Sequence, residues 1–250
     1  MSGPDAAVVV GGTHGMGLAT ARALVDRGVK VVVTGRAGPN LDTAAAALGP
    51  AARVVASDVT RSADVDGLGR LVEQEYGRID AVFLYADYAR LDAFTDVTPD
   101  VFDRTFAVNT RGAFFALQRL VPLVRDGGAV VVATSIADVT GTPGMSVYSG
   151  AKAALRAFVR VLAAELAPRR IRVNAVSPGF IQTPTLGVDA SNAERADFAE
   201  EGRAITPLGR IGTPEEVAAA ALFLALDATF TTGAELPVDG GLAQQLDAPR

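Results

Sequence analysis

The chain has 250 residues, 49% of them hydrophobic and 20% charged, with a formal charge of −5 and a pI of about 5.0. That length and balance suit one α/β domain with a large core, and the acidic excess argues against general nucleic-acid binding. Zero cysteines and one histidine exclude disulfides, thiolate sites and multi-histidine metal sites; no apolar run nears the roughly 20 residues of a membrane span, and no basic segment with an apolar stretch opens the chain, so no metal, no membrane partner and a cytoplasmic location are expected.

Short apolar runs alternate with longer helical patterns, as βαβ units do. A strand at 6–11, containing Val8-Val9-Val10, runs into Gly11-Gly12-Thr13-His14-Gly15-Met16-Gly17. A helix at 15–27 follows, with Leu18, Ala21, Leu24 and Val25 in helical spacing. Strand, glycine loop and helix together cradle a dinucleotide pyrophosphate. The glycines allow a tight turn and close backbone approach, and the helix N-terminus supplies unpaired N–H groups and a positive dipole end. The second strand, 29–34, leads into Val33-Thr34-Gly35-Arg36. A carboxylate at such a strand end holds a ribose hydroxyl, whereas an arginine favours a 2′-phosphate. With glycine at 35 and Arg36 next to it, NADP(H) is expected rather than NAD.

A helix at 40–48, a strand at 52–56, a helix at 62–76 and a strand at 80–85 come next. They lead to a helix at 99–125 and a strand at 128–134. Val130-Val131-Val132 is apolar throughout, as in a sheet covered on both faces. Ser135 stands at the C-terminal end of that strand, where open parallel sheets bind ligands. The helix at 147–167 opens with Tyr148 and Lys152, four residues apart and so on one face. An ammonium beside a phenol favours the phenolate, which makes a proton donor and acceptor usable near neutral pH. Lys152 is one of two lysines among 23 basic residues, so an arginine-rich chain has kept a compact amine here. A strand at 171–176, an irregular stretch over 184–206, a helix at 214–226 and a strand at 235–238 complete the pattern. Thr213-Pro214-Glu215-Glu216 opens the last helix with a cap, a first-turn proline and early acids. The reading is an α/β single domain over 1–250: a doubly wound, seven-stranded parallel sheet with helices on both faces.

Jointly, the G-x-x-x-G-x-G loop, Asp58-Val59, Asn109 in Phe106-Ala107-Val108-Asn109-Thr110, Ser135 and the Tyr148/Lys152 pair resemble the short-chain dehydrogenase/reductase family. Ile171-Arg172-Val173-Asn174 through Pro178-Gly179 and Thr232-Gly233 through Asp239-Gly240-Gly241 also match. The resemblance covers about Ala7 to Gly241 and is to the soluble Rossmann-fold type, similar to its 3-oxoacyl-acyl-carrier-protein-reductase-like ketoreductases.

This resemblance implies hydride transfer between nicotinamide and a carbonyl or alcohol carbon of a small molecule. Tyr148 would be the general acid/base, and Ser135 would orient the carbonyl oxygen. Lys152 would hold ribose hydroxyls and lower the Tyr148 pKa, and Asn109 would interrupt its helix and help hold a water that relays protons to Lys152. Gly11, Thr13, His14, Gly15, Met16 and Gly17 would line the phosphates, His14 at a position often basic in NADP-preferring members. Asp58 would accept from the adenine amine, with Val59 near the ring. Pro178, Gly179, Ile181 and Thr183 would border the nicotinamide, and residues 184–206 would close over the substrate.

The chain departs from the family at Leu84-Tyr85-Ala86-Asp87-Tyr88, where Asn-Ala-Gly is usual. Asp87 adds a Cβ and a negative charge, expected near the adenosine side, where it either repels the cofactor or accepts a ribose hydroxyl. Ile136, Val139, Met145, Phe180, Leu186 and Phe198 are the candidate substrate contacts. Their apolar character points to a hydrophobic ketone such as a polyketide, steroid-like or aromatic one. The alternatives are an NAD-dependent alcohol dehydrogenase, against which Gly35 and Arg36 speak, and a cofactor-binding regulator without turnover, for which Asp87 leaves room. A homotetramer is also implied. The helices at 99–125 and 147–167 carry more apolar positions than one buried face needs.

Overall fold

The computed structural model of the chain describes residues 5–244, so residues 1–4 and 245–250 of the expected domain lie outside it. Seven parallel strands form one sheet in the order β3-β2-β1-β4-β5-β6-β7. They are β1 Ala6–Val10, β2 Lys30–Gly35, β3 Ala52–Ala56, β4 Ile79–Leu84, β5 Val124–Ala133, β6 Arg172–Pro178 and β7 Glu235–Val238. The helices are α1 Gly15–Val25, α2 Pro39–Leu48, α3 Ser62–Tyr76, α4 Pro99–Phe106, α5 Ala113–Leu120, α6 Ala137–Thr140, α7 Ser146–Leu166, α8 Asn192–Ile205 and α9 Pro214–Leu222.

Alternation along each strand divides the core in two. Val8 and Val10 of β1 point to one face, with Val72 of α3, Leu120 of α5 and Leu155 of α7. Ala7 and Val9 point to the other, with Leu24 of α1 and Val217 of α9. This is why the strands read as unbroken apolar runs. The strand order reverses between β1 and β4. The loops after these two strands therefore diverge, and a crevice opens at the carboxyl edge of the sheet. At Gly11, φ is +78° and a Cβ would sit 2.5 Å from Ala86 N, so only glycine lets the two loops meet there.

Three elements differ from the sequence pattern. The helix expected over 99–125 breaks into α4, a π-helical turn over Ala107–Gly112, and α5, then a 3₁₀ turn at Val121–Leu123. β5 begins at Val124, not 128. It pairs Ile79 with Val124, slips register, and resumes at Ala81 with Ala129. Gly127, at φ +85°, absorbs the extra residues, and Arg125 is held by Asp5 and Asp80 at 3.1 Å each. The helix expected to run to 226 leaves α geometry at Leu222 and continues as a π turn over Phe223–Asp227. Among the described residues no helix is long and apolar enough to cross a membrane.

Candidate active site

Lys152 is 2% exposed, yet it carries an amine. Its Nζ donates to Ala133 O at the end of β5 (2.9 Å) and lies 3.2 Å from Asp87 Oδ1. Tyr148, one turn earlier on α7, is also buried and donates its hydroxyl to Asp87 Oδ2 at 3.0 Å. Asp87 is thus not on the adenosine side, as the sequence suggested. β4 runs beside β5, and the loop leaving β4 carries Asp87 over the β5 end, onto the Tyr148/Lys152 pair. The expected lowering of the Tyr148 pKa by Lys152 is overturned with it. Burial first, then the Asp87 charge and its hydrogen bond, hold the phenol well above its ordinary value, while a hydrogen bond with Ser135 works the other way. Ser135 also accepts from Ala137 N at 3.2 Å, which starts the one-turn helix α6.

Asn109 is fully buried in the π turn, and its side chain is committed. Oδ1 accepts from Tyr88 N at 2.8 Å and Nδ2 donates to Tyr88 O at 2.7 Å. That side chain is a clamp that fixes the loop carrying Asp87, and the π turn interrupts the helix at Asn109 as expected. Tyr85 fills the place of the usual amide by packing under α1. Thr20 Oγ1 lies 2.8 Å from its hydroxyl, and its N–H donates to Val10 O at 2.7 Å, keeping β1 and β4 tied.

The dinucleotide side is built from glycines in contact. A Cβ at Gly17 would fall 2.3 Å from Gly11 O, so the loop folds directly onto the first turn of α1. Gly35 closes β2 against Thr13, where a Cβ would meet Oγ1 at 2.4 Å. An aspartate at 35 would collide with Thr13. Arg36 is exposed at that strand end, within electrostatic reach of His14. Burial, and then the Arg36 charge, hold His14 below its ordinary pKa. Asp58 Oδ1 accepts from Thr60 N (2.9 Å) and Thr60 Oγ1 (2.7 Å), which occupies one of the oxygens expected to face adenine. Val59, expected near the adenine ring, packs its side chain into the core, where it leaves room for no Cβ at Gly112. Thr183 Oγ1 is buried without a partner, and its Cγ2 would lie 3.1 Å from a Cβ at Gly15. An orphan hydroxyl beside a glycine-lined helix N-terminus fits the polar groups of a bound dinucleotide.

An open cleft joins these parts. Met16, Asp87, Ser135, Tyr148, Lys152, Pro178, Gly179, Ile181 and Thr183 line it, as do Ile136, Met145, Phe180, Leu186 and Phe198 of the expected substrate contacts. Val139 does not line it. It faces solvent, 50% exposed, because the single turn of α6 turns Ile136 and Ala137 inward and Val139 outward. Ala89, Thr142, Val188 and Ile211 line the cleft and went unread in the sequence, since none belongs to a motif or a periodic face.

The irregular stretch over 184–206 becomes a loop and α8, which Ser191 and Glu194 start with a reciprocal capping box. Phe198 of α8 packs on Phe180, ring centroids 4.8 Å apart, and Gly202 is bare where a Cβ would lie 2.4 Å from the Phe180 ring. The segment crosses to the β4 side. Asp189 N donates to Ala89 O at 2.8 Å, and Tyr88 Oη donates to Asp189 Oδ2 at 3.3 Å.

A sequence profile of the family described as enoyl-(acyl carrier protein) reductase matches residues 10–243. Versicolorin reductase of Emericella nidulans is 37% identical over 251 residues, covering 94% of each chain. A 3-oxoacyl-[acyl-carrier-protein] reductase of Thermotoga maritima is 34% identical, covering 94% of this chain and 96% of that one. Among solved structures, a short-chain dehydrogenase/reductase from Serratia marcescens superposes with a TM-score of 0.87 at 30% identity, covering 96% of this chain and 98% of that one. With the seven-stranded sheet and the Ser135, Tyr148 and Lys152 cluster at its carboxyl edge, these matches make the chain a member of the short-chain dehydrogenase/reductase family of nicotinamide-dependent oxidoreductases.

Proposed function

We propose that the protein is an NADP(H)-dependent reductase of an apolar ketone, yielding a secondary alcohol. The convergence of Tyr148, Ser135 and Lys152 on a cleft otherwise lined by Ile136, Met145, Val188, Phe180 and Phe198 carries this reading. Reduced nicotinamide, when bound, supplies the hydride. Tyr148 Oη gives its proton to the substrate oxygen, and the Ser135 hydroxyl orients that oxygen. Lys152, rigidly held by Ala133 O, binds ribose hydroxyls. Asn109 keeps the Tyr88 backbone, and so the loop after β4, in place. The segment at 184–206 covers the cleft and excludes water.

NADP(H) is favoured over NAD(H) by the Thr13 contact that leaves no room for a carboxylate at 35, and by the exposed Arg36 at the end of β2. Arg36→Ala should weaken NADPH binding by about 1.5–3 kcal/mol, the range for hydrogen bonds to charged groups, with little effect on NADH. Calorimetric titration with both cofactors measures this, and equal losses would show that Arg36 does not read the 2′-phosphate. Oxidation of NADPH against a panel of apolar ketones tests the activity. Turnover with NADPH well ahead of NADH supports the reading. Tight NADPH binding with no turnover on any ketone would favour a cofactor-binding regulator, a reading for which the grip of Asp87 on both Tyr148 and Lys152 speaks.

The same reading includes a homotetramer. Phe102, Phe114 and Phe115 stand exposed on α4 and α5 beside Phe106 and Phe158, and a second set, Leu208, Phe223 and Phe230, is exposed elsewhere. The exposed aromatic face on α4 and α5 suits one two-fold interface, and a second would complete D₂ symmetry.

A further inference from the structure

Asp87 is the residue that the family pattern does not explain, and it touches both members of the central pair. Its Oδ2 accepts from Tyr148 Oη at 3.0 Å and its Oδ1 pairs with Lys152 Nζ at 3.2 Å. The groups facing Tyr148 come from four elements. Lys152 lies on its own helix, with Nζ 5.5 Å from the ring centroid. Ser135 comes from the turn after β5 and Asp138 from α6. Asp87 comes from the loop after β4. Asp138 is itself paired with Arg156 at 3.1 Å, with Glu235 and Arg160 near it. The other partner of Lys152, Ala133 O, is neutral. So Lys152, the cation one helical turn from the phenol, already has its charge matched by a carboxylate.

This changes the chemistry of the pair. A bare ammonium favours the phenolate. An ammonium paired with a carboxylate does so far less, and a carboxylate that accepts the phenol hydrogen bond favours the neutral phenol. Ionising Tyr148 would remove that bond and set two negative oxygens 3.0 Å apart beside a buried phenol ring. Burial acts in the same direction, and together they hold the phenol well above its ordinary range.

We propose that Asp87 is a positioning residue that keeps Tyr148 in its proton-donating form and so biases the site toward carbonyl reduction and against alcohol oxidation. This rests on the reductase reading above. In reduction, the Tyr148 O–H bond breaks and an O–H bond forms on the substrate oxygen, as the carbonyl carbon takes the hydride from reduced nicotinamide. The phenolate left behind is unfavourable beside Asp87, and it takes a proton back from solvent. The Asp87 side chain, 24% exposed, lines the cleft beside Tyr148. In the opposite direction Tyr148 would have to enter as phenolate, the form that Asp87 opposes.

The experiment is a spectrophotometric titration of phenolate in the protein without cofactor, comparing wild type with Asp87→Asn and Asp87→Gly. From each, the matching Tyr148→Phe double or single variant is subtracted, so that Tyr76, Tyr85 and Tyr88 cancel. The Tyr148 signal should move to lower pH by about one unit or more in both Asp87 variants, the scale of one adjacent charge. In turnover, kcat for alcohol oxidation at neutral pH should rise about tenfold, the ratio equivalent to one pH unit. The alkaline limb of ketone reduction should move down by the same amount. A merely structural role would lower both directions together and leave the phenolate titration where it was. An unchanged Tyr148 titration in both variants overturns the proposal even if ketones are reduced. If no ketone is reduced, the reductase reading fails, while the titration still judges the effect of Asp87 on Tyr148.

Discussion

Tyr148 sits in its own small apolar cluster with Ala89, Ala137, Met145 and Val188, so its ring is packed whether or not it carries a hydroxyl. Tyr148→Phe should therefore leave NADPH affinity nearly unchanged and lower kcat roughly 10²–10⁴-fold, the usual weight of general acid–base help. Fluorescence titration with NADPH and steady-state turnover separate the two effects. Asp138 is a second residue whose environment sets its chemistry. Its side chain is fully enclosed, with Arg156 Nε at 3.1 Å as its ion-pair partner and no hydrogen-bond partner for either oxygen. Burial first, and Glu235 second, push its pKa from 3.8 up to about 6, against the pull of Arg156, Lys152 and Arg160. The folded chain thus holds this proton more tightly than the unfolded chain does. Its contribution to stability is present below about pH 4 and is lost as pH rises through about 6. Asp138→Asn removes that dependence. Its stability relative to wild type should grow by up to ~3 kcal/mol between about pH 4 and pH 7. Urea unfolding at the two pH values measures this, and a gap independent of pH would show that Asp138 stays ionised throughout.

At the scale of elements, the dinucleotide half depends on how the end of β2 meets the loop after β1. Gly35 and Thr13 are in contact so close that a Cβ at 35 would lie 2.4 Å from Thr13 Oγ1. Gly35→Asp alone should lower affinity for both cofactors and lower stability, because Thr13 must move. Gly35→Asp combined with Thr13→Gly should bind NADH better than NADPH, since the carboxylate then has room for the ribose hydroxyls. Dissociation constants for the two cofactors decide this, and an unchanged preference in the double variant would break the argument. The sequence made Gly35 visible but not its reason, since Thr13 is a distant neighbour across two strand ends. The same limit explains the broken helix over 99–125. Its apolar spacing continues through Ala107–Gly112, and only the burial of Asn109 and its two bonds to Tyr88 coincide with the π turn. The stretch over 184–206 reads as irregular in the sequence because α8 is polar on most of its surface, with Gly202 as its one buried residue.

For the whole molecule, the exposed phenylalanines matter most. Phe230 is fully exposed, and Phe102, Phe114 and Phe115 stay partly exposed after α4, α5 and α7 have packed. Leu117, Leu120, Leu155 and Val159 of the same helices already fill the core, so these rings are surplus to a single chain. Light scattering coupled to size exclusion should report four chains, and Phe230→Asp should leave dimers held by the α4, α5 and α7 face. A wild-type monomer at micromolar concentration would contradict this assembly. The seven parallel strands, the covered sheet, the glycine loop and the Ser135, Tyr148 and Lys152 set were legible in the sequence because each rests on residue spacing within one element or on motifs strung along it. The charge state of the site was not. It turns on Asp87 meeting Tyr148 from 61 positions away, and on Asn109 turning its amide to a loop 21 positions before it. Periodicity records which face a side chain is on, but only the tertiary structure sets which charged or polar group stands opposite, and at about 3 Å from a buried phenol that partner decides which way a proton is held.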